Sequence, residues 1–189
     1  MIQFNKNLFL VRHGEVDYNR QGIIAGSTDR PLNETGRRQA EEAAEKVKNL
    51  GIDILITSDL KRAKETAEAI GKKIGLPVMI EPAFRERNYG SIEGKSKKDL
   101  KKMYPEYMSE KGTLILENEF PEAEPVHDFC KRIIEAVDSL LKKYSDKNIL
   151  LVTHAGIFRV LYAYKHNIPY NKAREVYKPE DTNCLIENY

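Results

Sequence analysis

The chain has 189 residues, enough for one well-filled apolar core and short for two, so a single domain spanning 1–189 is expected. Lys, Arg, Asp and Glu make up 32% of it, yet the formal net charge is only +2. That near-balance disfavours nucleic acid or a membrane surface as a partner, because both call for a clustered basic excess.

The first residues, MIQFNKNLFLVRHG, lack the charged start, long apolar centre and small-residue cleavage site of a signal peptide. No apolar run approaches the roughly 20 residues that span a bilayer. Cys130 and Cys184 cannot build a disulfide framework, and neither has a close partner at metal-ligand spacing. A reducing cytoplasm is the expected location. Within LFLVRHGEVDYN an apolar run, read as a buried strand, stops at Arg12, His13 and Gly14. The ends of such strands are where α/β folds bind ligands, and the glycine is expected to let one approach the backbone.

The loop GIIAGSTDRPLNETG reads as irregular structure beside that strand end. From Asn33 the pattern turns helical, with Ala40, Ala43, Ala44, Val47 and Leu50 on one face and Gly51 as a stop. Residues 53–57, DILIT, form a second short apolar strand that ends in polar residues. Ser58 or Asp59 is expected to cap a helix whose inward stripe is Leu60, Ala63, Ala67, Ile70 and Ile74. Val78–Ile80 is a third strand candidate. The pattern then weakens across a lid-like insertion at 84–124, with a short helix expected at Lys97–Met103.

Apolar residues from Val126 to Tyr144 recur at i, i+3, i+4 and i+7, the signature of a long amphipathic helix that includes Cys130. NILLVT then reads as a strand running into His154, followed by a helix with Ile157, Val160, Leu161 and Tyr164 inward. Residues 184–187 complete the set as an edge strand. Strands alternating with helices imply an α/β fold, a mainly parallel sheet covered on both faces. Three strands end at Arg12-His13, at Ser58 leading to Arg62, and at His154. In a parallel sheet those ends lie along one edge, so distant residues converge there.

Arg12, His13, Arg62 and His154 together supply two fixed positive charges and two imidazoles. Guanidinium forks match phosphoryl oxygens and stay charged at any relevant pH. One neutral imidazole can attack phosphorus to form a phosphohistidine, and the other can stabilise the shifting charge. The scheme requires no metal and no cofactor. It does need a carboxylate to protonate the leaving oxygen and later activate water. Glu86, within FRERNYGSIEG, is the candidate. Arg62 falls in the first turn of its helix, where the macrodipole disfavours a cation unless an anion binds there. His127 and His166 have no motif around them and read as surface or packing residues. The lysines from Lys95 to Lys102 read as a solvated face.

These segments resemble the histidine phosphatase superfamily, also called the phosphoglycerate mutase-like family, over most of the chain. LFLVRHGEVDYN is similar to its phospho-acceptor signature, and PLNETGRRQAEEAA to its first helix. TSDLKRAKETAEAI is similar to the segment with the second arginine, FRERNYGSIEG to that with the acid, and LLVTHAGIFRVL to that with the second histidine. Five matches in order are far more specific than any one. The resemblance implies a three-layer α/β/α sandwich with His13 phosphorylated. It makes Arg12, Arg62 and His154 phosphoryl ligands, and Glu86 the proton donor. It adds Asn19, the loop glycine aligned at Gly26, and the backbone N–H of Ala155 as substrate contacts. Two departures stand out: Ala25 where small phosphatases of the family often have Gln, and Glu122-Ala123-Glu124-Pro125 where they commonly have Gly-Gly-Glu-Ser.

The run Glu86-Arg87-Asn88-Tyr89-Gly90 looks more like the mutases and the sugar-bisphosphatase branch than the broad-specificity phosphatases. In mutases the equivalents of Arg87 and Tyr89 help hold a substrate carboxylate, so both join the candidate substrate contacts. The insertion lacks the adjacent arginine pair of cofactor-dependent mutases. The reading is therefore a metal-independent phosphatase of a small phosphorylated metabolite. A phosphoglycerate mutase is the alternative, and a phosphate-binding protein without turnover is a further one. The sequence leaves the oligomeric state open.

Overall fold

The computed structural model describes residues 8–108, 120–179 and 186–188. Its elements run β1 (Leu8–Arg12), α1 (Asp17–Gln21), α2 (Glu34–Val47), β2 (Ile54–Thr57), α3 (Lys61–Ile74), β3 (Val78–Ile80), α4 (Lys97–Met103), α5 (Val126–Lys143), β4 (Ile149–Thr153), α6 (Ala155–His166), α7 (Tyr170–Val176) and β5 (Ile186–Asn188). The sheet order is β3-β2-β4-β1-β5. The first four strands are parallel, and β5 pairs antiparallel with β1.

Alternation along the strands divides the core in two, because successive side chains point to opposite faces. Leu8 and Leu10 of β1, Ile56 of β2, and Ile149 and Leu151 of β4 pack beneath α5 and α6. Val11, Leu55, Leu150 and Val152 pack against Ala43, Ala44 and Val47 of α2 and Ala63, Ala67 and Ile70 of α3. The alanine-rich second face lets α2 and α3 lie close to the sheet. Phe129, Ile133, Val137 and Leu140 form the inward stripe of α5. Each large side chain buried this way contributes roughly 1.5–3 kcal/mol. The result is the three-layer α/β/α sandwich expected from the alternation of elements.

Some local expectations are corrected. Helix α3 begins after Leu60 with no side-chain cap, since Ser58 hydrogen-bonds His154 and Asp59 pairs with Arg85. Helix α2 ends at Val47, before Gly51, which turns the chain at φ +63°. Helices α1 and α7 interrupt segments with no helical pattern in the reading. The final strand is Ile186–Asn188, and Cys184 lies outside the described residues. Within the predicted insertion, Phe84, Tyr89, Ile92, Leu100 and Phe120 share the apolar core of β1 and β4. Residues 109–119 of that insertion lie outside the described residues. His127 is exposed beside Asp128, and His166 packs on the Tyr162 ring.

Candidate active site

The carboxyl ends of β1, β2 and β4 lie side by side because Arg12 is in register with Thr153, and Thr57 with Val152. A backbone hydrogen bond from His13 N–H to the Thr153 carbonyl (3.0 Å) extends the pairing one residue further. The two histidines that follow the strands therefore meet, their ring centroids 5.1 Å apart. Both are buried, as are Arg12 and Arg62.

The His13 ring is fixed in one tautomer. Its Nδ1 lies 2.7 Å from the Gly14 carbonyl oxygen, which can only accept, so Nδ1 carries the proton. Nε2 then presents a lone pair and accepts from Arg62 Nε–H at 3.2 Å. Burial, reinforced by the positive charges of Arg62 and Arg12, holds the His13 pKa well below its ordinary 6.5. The imidazole is thus neutral and nucleophilic at neutral pH. His154 caps α6, and its Nε2 lies 2.7 Å from Ser58 Oγ. Its Nδ1 is buried with no hydrogen-bond partner. Burial, then Arg62 and His13, also push its pKa well below 6.5. A dianion bound beside these rings would favour the imidazolium form and oppose that effect.

Arg62 spans the site from the first turn of α3. Its Nη1 and Nη2 donate to the carbonyls of Thr28 (2.8 Å) and Gly26 (2.6 Å). Burial lowers its pKa to about 10, opposed by Glu86, so the guanidinium stays charged. Arg12 Nη1 reaches the Pro179 carbonyl at 3.4 Å. Thr66 Oγ1 accepts from Gly14 N–H and donates to the Arg62 carbonyl, tying α3 to the histidine loop.

The room at Gly14 is used by α2. A Cβ there would sit 2.4 Å from the Gly36 carbonyl oxygen, and one at Gly36 would sit 2.1 Å from that of Glu15. The absence of both side chains lets the strand end and the helix start interlock. This corrects the expectation that Gly14 opens the backbone to a ligand.

Glu86 is anchored at both carboxylate oxygens. Oε1 accepts from Arg87 N–H (2.9 Å), and Oε2 from Gly156 N–H (2.9 Å) at the start of α6. A helix N-terminus stabilises a carboxylate. A Cβ at Gly156 would fall 2.1 Å from Oε1, so only glycine there leaves the acid in place.

Arg12, His13, Arg62 and Glu86 line one open cavity of about 140 Å³. Asn19, Gly26, Tyr89 and Ala155 border it too. Asn19 is held by its Oδ1 accepting from Val16 N–H at 3.1 Å. Gly26 has φ +50°, and a Cβ there would collide with the Glu93 carboxylate. Glu93 in turn accepts from the N–H groups of Ser27 and Tyr89 and from the Thr28 hydroxyl, binding the glycine loop to the insertion. His154 stands behind this lining, against His13. Arg87 is turned elsewhere: its Nε donates to the Glu124 carbonyl (2.7 Å) and its guanidinium faces the Tyr89 and Phe120 rings. The backbone N–H of Arg87 holds Glu86, and its side chain is not part of the cavity lining. The Glu122-Ala123-Glu124-Pro125 element has an architectural role, as Glu124 pairs bidentately with Arg132, whose Nη1 donates to the Ala83 carbonyl.

The sequence reading missed Arg159 of α6 and Arg174 of α7, which also line the cavity, and Ser58 as the partner of His154. Arg159 carried a readable signal, because it lies four residues after Ala155 and so on the same helix face. Lys97 borders the cavity rather than belonging wholly to a solvated face. Among the described residues, no three His, Cys, Asp or Glu side chains converge as a metal-ligand group. No described helix is long and apolar enough to cross a membrane.

Two histidines and two arginines gathered at one edge of a parallel sheet, with a carboxylate held by the start of α6, define a phosphoryl-handling class. The sequence profile of the histidine phosphatase superfamily (branch 1) matches residues 8–186, and the chain belongs to that family. It is 39% identical over 152 residues to the uncharacterized phosphatase PhoE of Bacillus subtilis, spanning 80% of this chain and 73% of that one. It is 37% identical over 150 residues to the "Probable phosphoglycerate mutase GpmB" of Yersinia enterocolitica, spanning 78% and 68%. Among solved structures, mycobacterial glucosyl-3-phosphoglycerate phosphatase in complex with VO3 superposes with a TM-score of 0.77 at 26% identity, over 89% of this chain and 85% of that one. Phosphoserine phosphatase of Entamoeba histolytica in complex with 3-phosphoglyceric acid superposes with a TM-score of 0.78 at 26% identity, over 95% and 87%.

Proposed function

We propose that this protein is a metal-independent phosphatase that hydrolyses a small phosphomonoester through a phosphohistidine on His13. The carrying observation is the state of that ring: Nδ1–H is spent on Gly14, and the Nε2 lone pair faces Arg62 at the cavity. In the first step Nε2 attacks phosphorus, the bond from phosphorus to the ester oxygen breaks, and Glu86 protonates the departing oxygen. Arg12, Arg62 and an imidazolium at His154 hold the three equatorial oxygens as charge redistributes. In the second step Glu86 takes a proton from water, water oxygen bonds to phosphorus, and His13 leaves as neutral imidazole. Fixed guanidinium charge does the electrostatic work that a divalent ion does in other phosphatases.

The mutase reading has one specific support, since Arg159 and Arg174 add anion-binding groups to the cavity. Hydrolysis is favoured because the insertion carries no adjacent arginine pair to retain a bisphosphorylated intermediate. The test is to incubate the protein with labelled phosphomonoester in EDTA, trap the covalent adduct, and score released phosphate against isomerised product. An acid-labile label that vanishes in His13→Ala, with phosphate release undiminished by EDTA, is expected. Label persisting in His13→Ala would refute the nucleophile. Isomerisation with little phosphate would establish the mutase.

A further inference from the structure

One phosphoryl dianion is matched by the two arginines beside the histidines, yet the cavity holds more positive charge than that. Among its described lining residues, Arg159, Arg174 and Lys97 stand in addition to Arg12 and Arg62, and Glu86 is the sole carboxylate. Three separate elements supply the additional cations: α6 gives Arg159, α7 gives Arg174, and the first position of α4 gives Lys97. Chance surface lysines cluster on one helix face, whereas this set is brought together by topology. Arg159 is buried at 5% exposure, with its Nε donating to the Tyr177 carbonyl at 3.4 Å.

One unsatisfied donor marks the same place. Nη1 of Arg174 is buried without a hydrogen-bond partner. Buried donors without acceptors are rare in folded proteins and signal a missing partner. Arg159 lies one helical turn beyond Ala155 on the same face, about 6 Å along the α6 axis. A group bound there is a short carbon chain away from a phosphoryl group held at His13.

We infer that Arg159, Arg174 and Lys97 form a second anion subsite, so that the substrate is a small phosphomonoester bearing a further anionic group, a carboxylate or a second phosphate, on a short spacer. The inference rests on the reading that the transferred phosphoryl group sits at His13. Arg forks at Arg159 and Arg174 suit either planar carboxylate or phosphate oxygens. Lys97, exposed at the rim, steers the doubly charged ligand inward.

The test uses binding, so that turnover does not enter. In the His13→Ala background, calorimetry compares glycerol 3-phosphate, which has one anionic group, with 3-phosphoglycerate and with 1,3-propanediol bisphosphate. At least one of the doubly anionic ligands is expected to bind tenfold or more tightly than glycerol 3-phosphate, and whichever does so identifies the second group. Arg174→Gln is expected to erase most of that ratio, whereas general damage to the fold weakens all three ligands alike and leaves the ratio standing. Binding of all three with a ratio near one, or a ratio untouched by both Arg174→Gln and Arg159→Gln, overturns the second subsite and leaves the phosphatase reading intact. Binding of none overturns the phosphoryl site itself and this inference with it.

Discussion

At the scale of single residues, Glu86 and His13 are both held by backbone groups, so their positions do not depend on substrate. The Glu86 oxygens are engaged by the N–H groups of Arg87 and Gly156 before any ligand arrives. A carboxylate so fixed can act on the leaving oxygen only if the phosphoryl group is bound in line with His13, and this makes its contribution depend on the leaving group. Glu86→Gln is expected to lower kcat/KM for an alkyl phosphate by about 10²–10⁴, the range for general acid catalysis. For p-nitrophenyl phosphate, whose phenolate departs without a proton, the loss is expected to stay below about tenfold. Steady-state kinetics with the two esters decides it, and equal losses would remove Glu86 from the role of acid. Glu86 lies between Arg85 and Arg87 in the sequence. In the structure Arg85 pairs with Asp59 and Arg87 faces Glu124, so neither guanidinium is spent on it.

At the scale of elements, the site is rigid because α2 and α3 clamp the loop after β1. Gly14 and Gly36 interlock by backbone contact, and a carbonyl cannot swing aside as a flexible side chain can. Gly14→Ala is therefore expected to destabilise the fold by about 1–3 kcal/mol, the usual cost of overpacking. A lowered urea midpoint at unchanged m-value would register it, and a midpoint equal to that of the parent protein would show that the contact is not tight. The strands, α5 and α2 were legible because their signals are local: short apolar runs that stop at polar residues, the 3.6-residue stripe, and a helical pattern that begins at Asn33, whose side chain accepts from Gly36 N–H. The convergence of Arg12, His13, Arg62 and His154 was legible because parallel strands bring their ends to one edge whatever the loops do. What escaped has equally physical reasons. Helix α7 starts after Pro169 with no side-chain cap, unlike α4 of the same length, which Ser96 caps, and Arg174 was hidden with it. Ser58 was read as a cap because its partner His154 lies 96 residues away, beyond any local spacing. The resemblance that made Arg87 a candidate substrate contact carried no sign of its contacts with the Glu124 carbonyl and the Tyr89 and Phe120 rings.

At the scale of the whole molecule, burying two neutral histidines beside two arginines ties stability to pH. Both His13 and His154 have folded-state pKa values well below 6.5, chiefly through burial, while in the unfolded chain each titrates near 6.5. Below that pH the unfolded chain binds protons that the folded chain refuses, so stability falls as pH falls and is fully present above it. Each histidine adds a slope of about 1.4 kcal/mol per pH unit until its folded pKa is reached, about 2.7 kcal/mol per unit for the pair. Asp59, whose pKa is lowered by its hydrogen bond to Arg85, acts in the same direction but only around and below its ordinary 3.8. The interval from pH 6.5 to about 5 thus isolates the histidines from that carboxylate. Urea unfolding across this interval is expected to show the midpoint dropping steadily with acid, and His154→Gln to remove about half of the slope. A midpoint flat between pH 6.5 and 5 would mean that the two imidazoles accept protons in the folded state. The same linkage runs through the ligand: a dianion beside the rings offsets the cost of protonating His154, so its binding draws in a proton. Sulfate, which stays a dianion throughout this range, is expected to be taken up with a net proton near pH 6, measured as buffer-dependent heat in calorimetry. Binding with no buffer dependence would show that His154 meets the phosphoryl group as neutral imidazole.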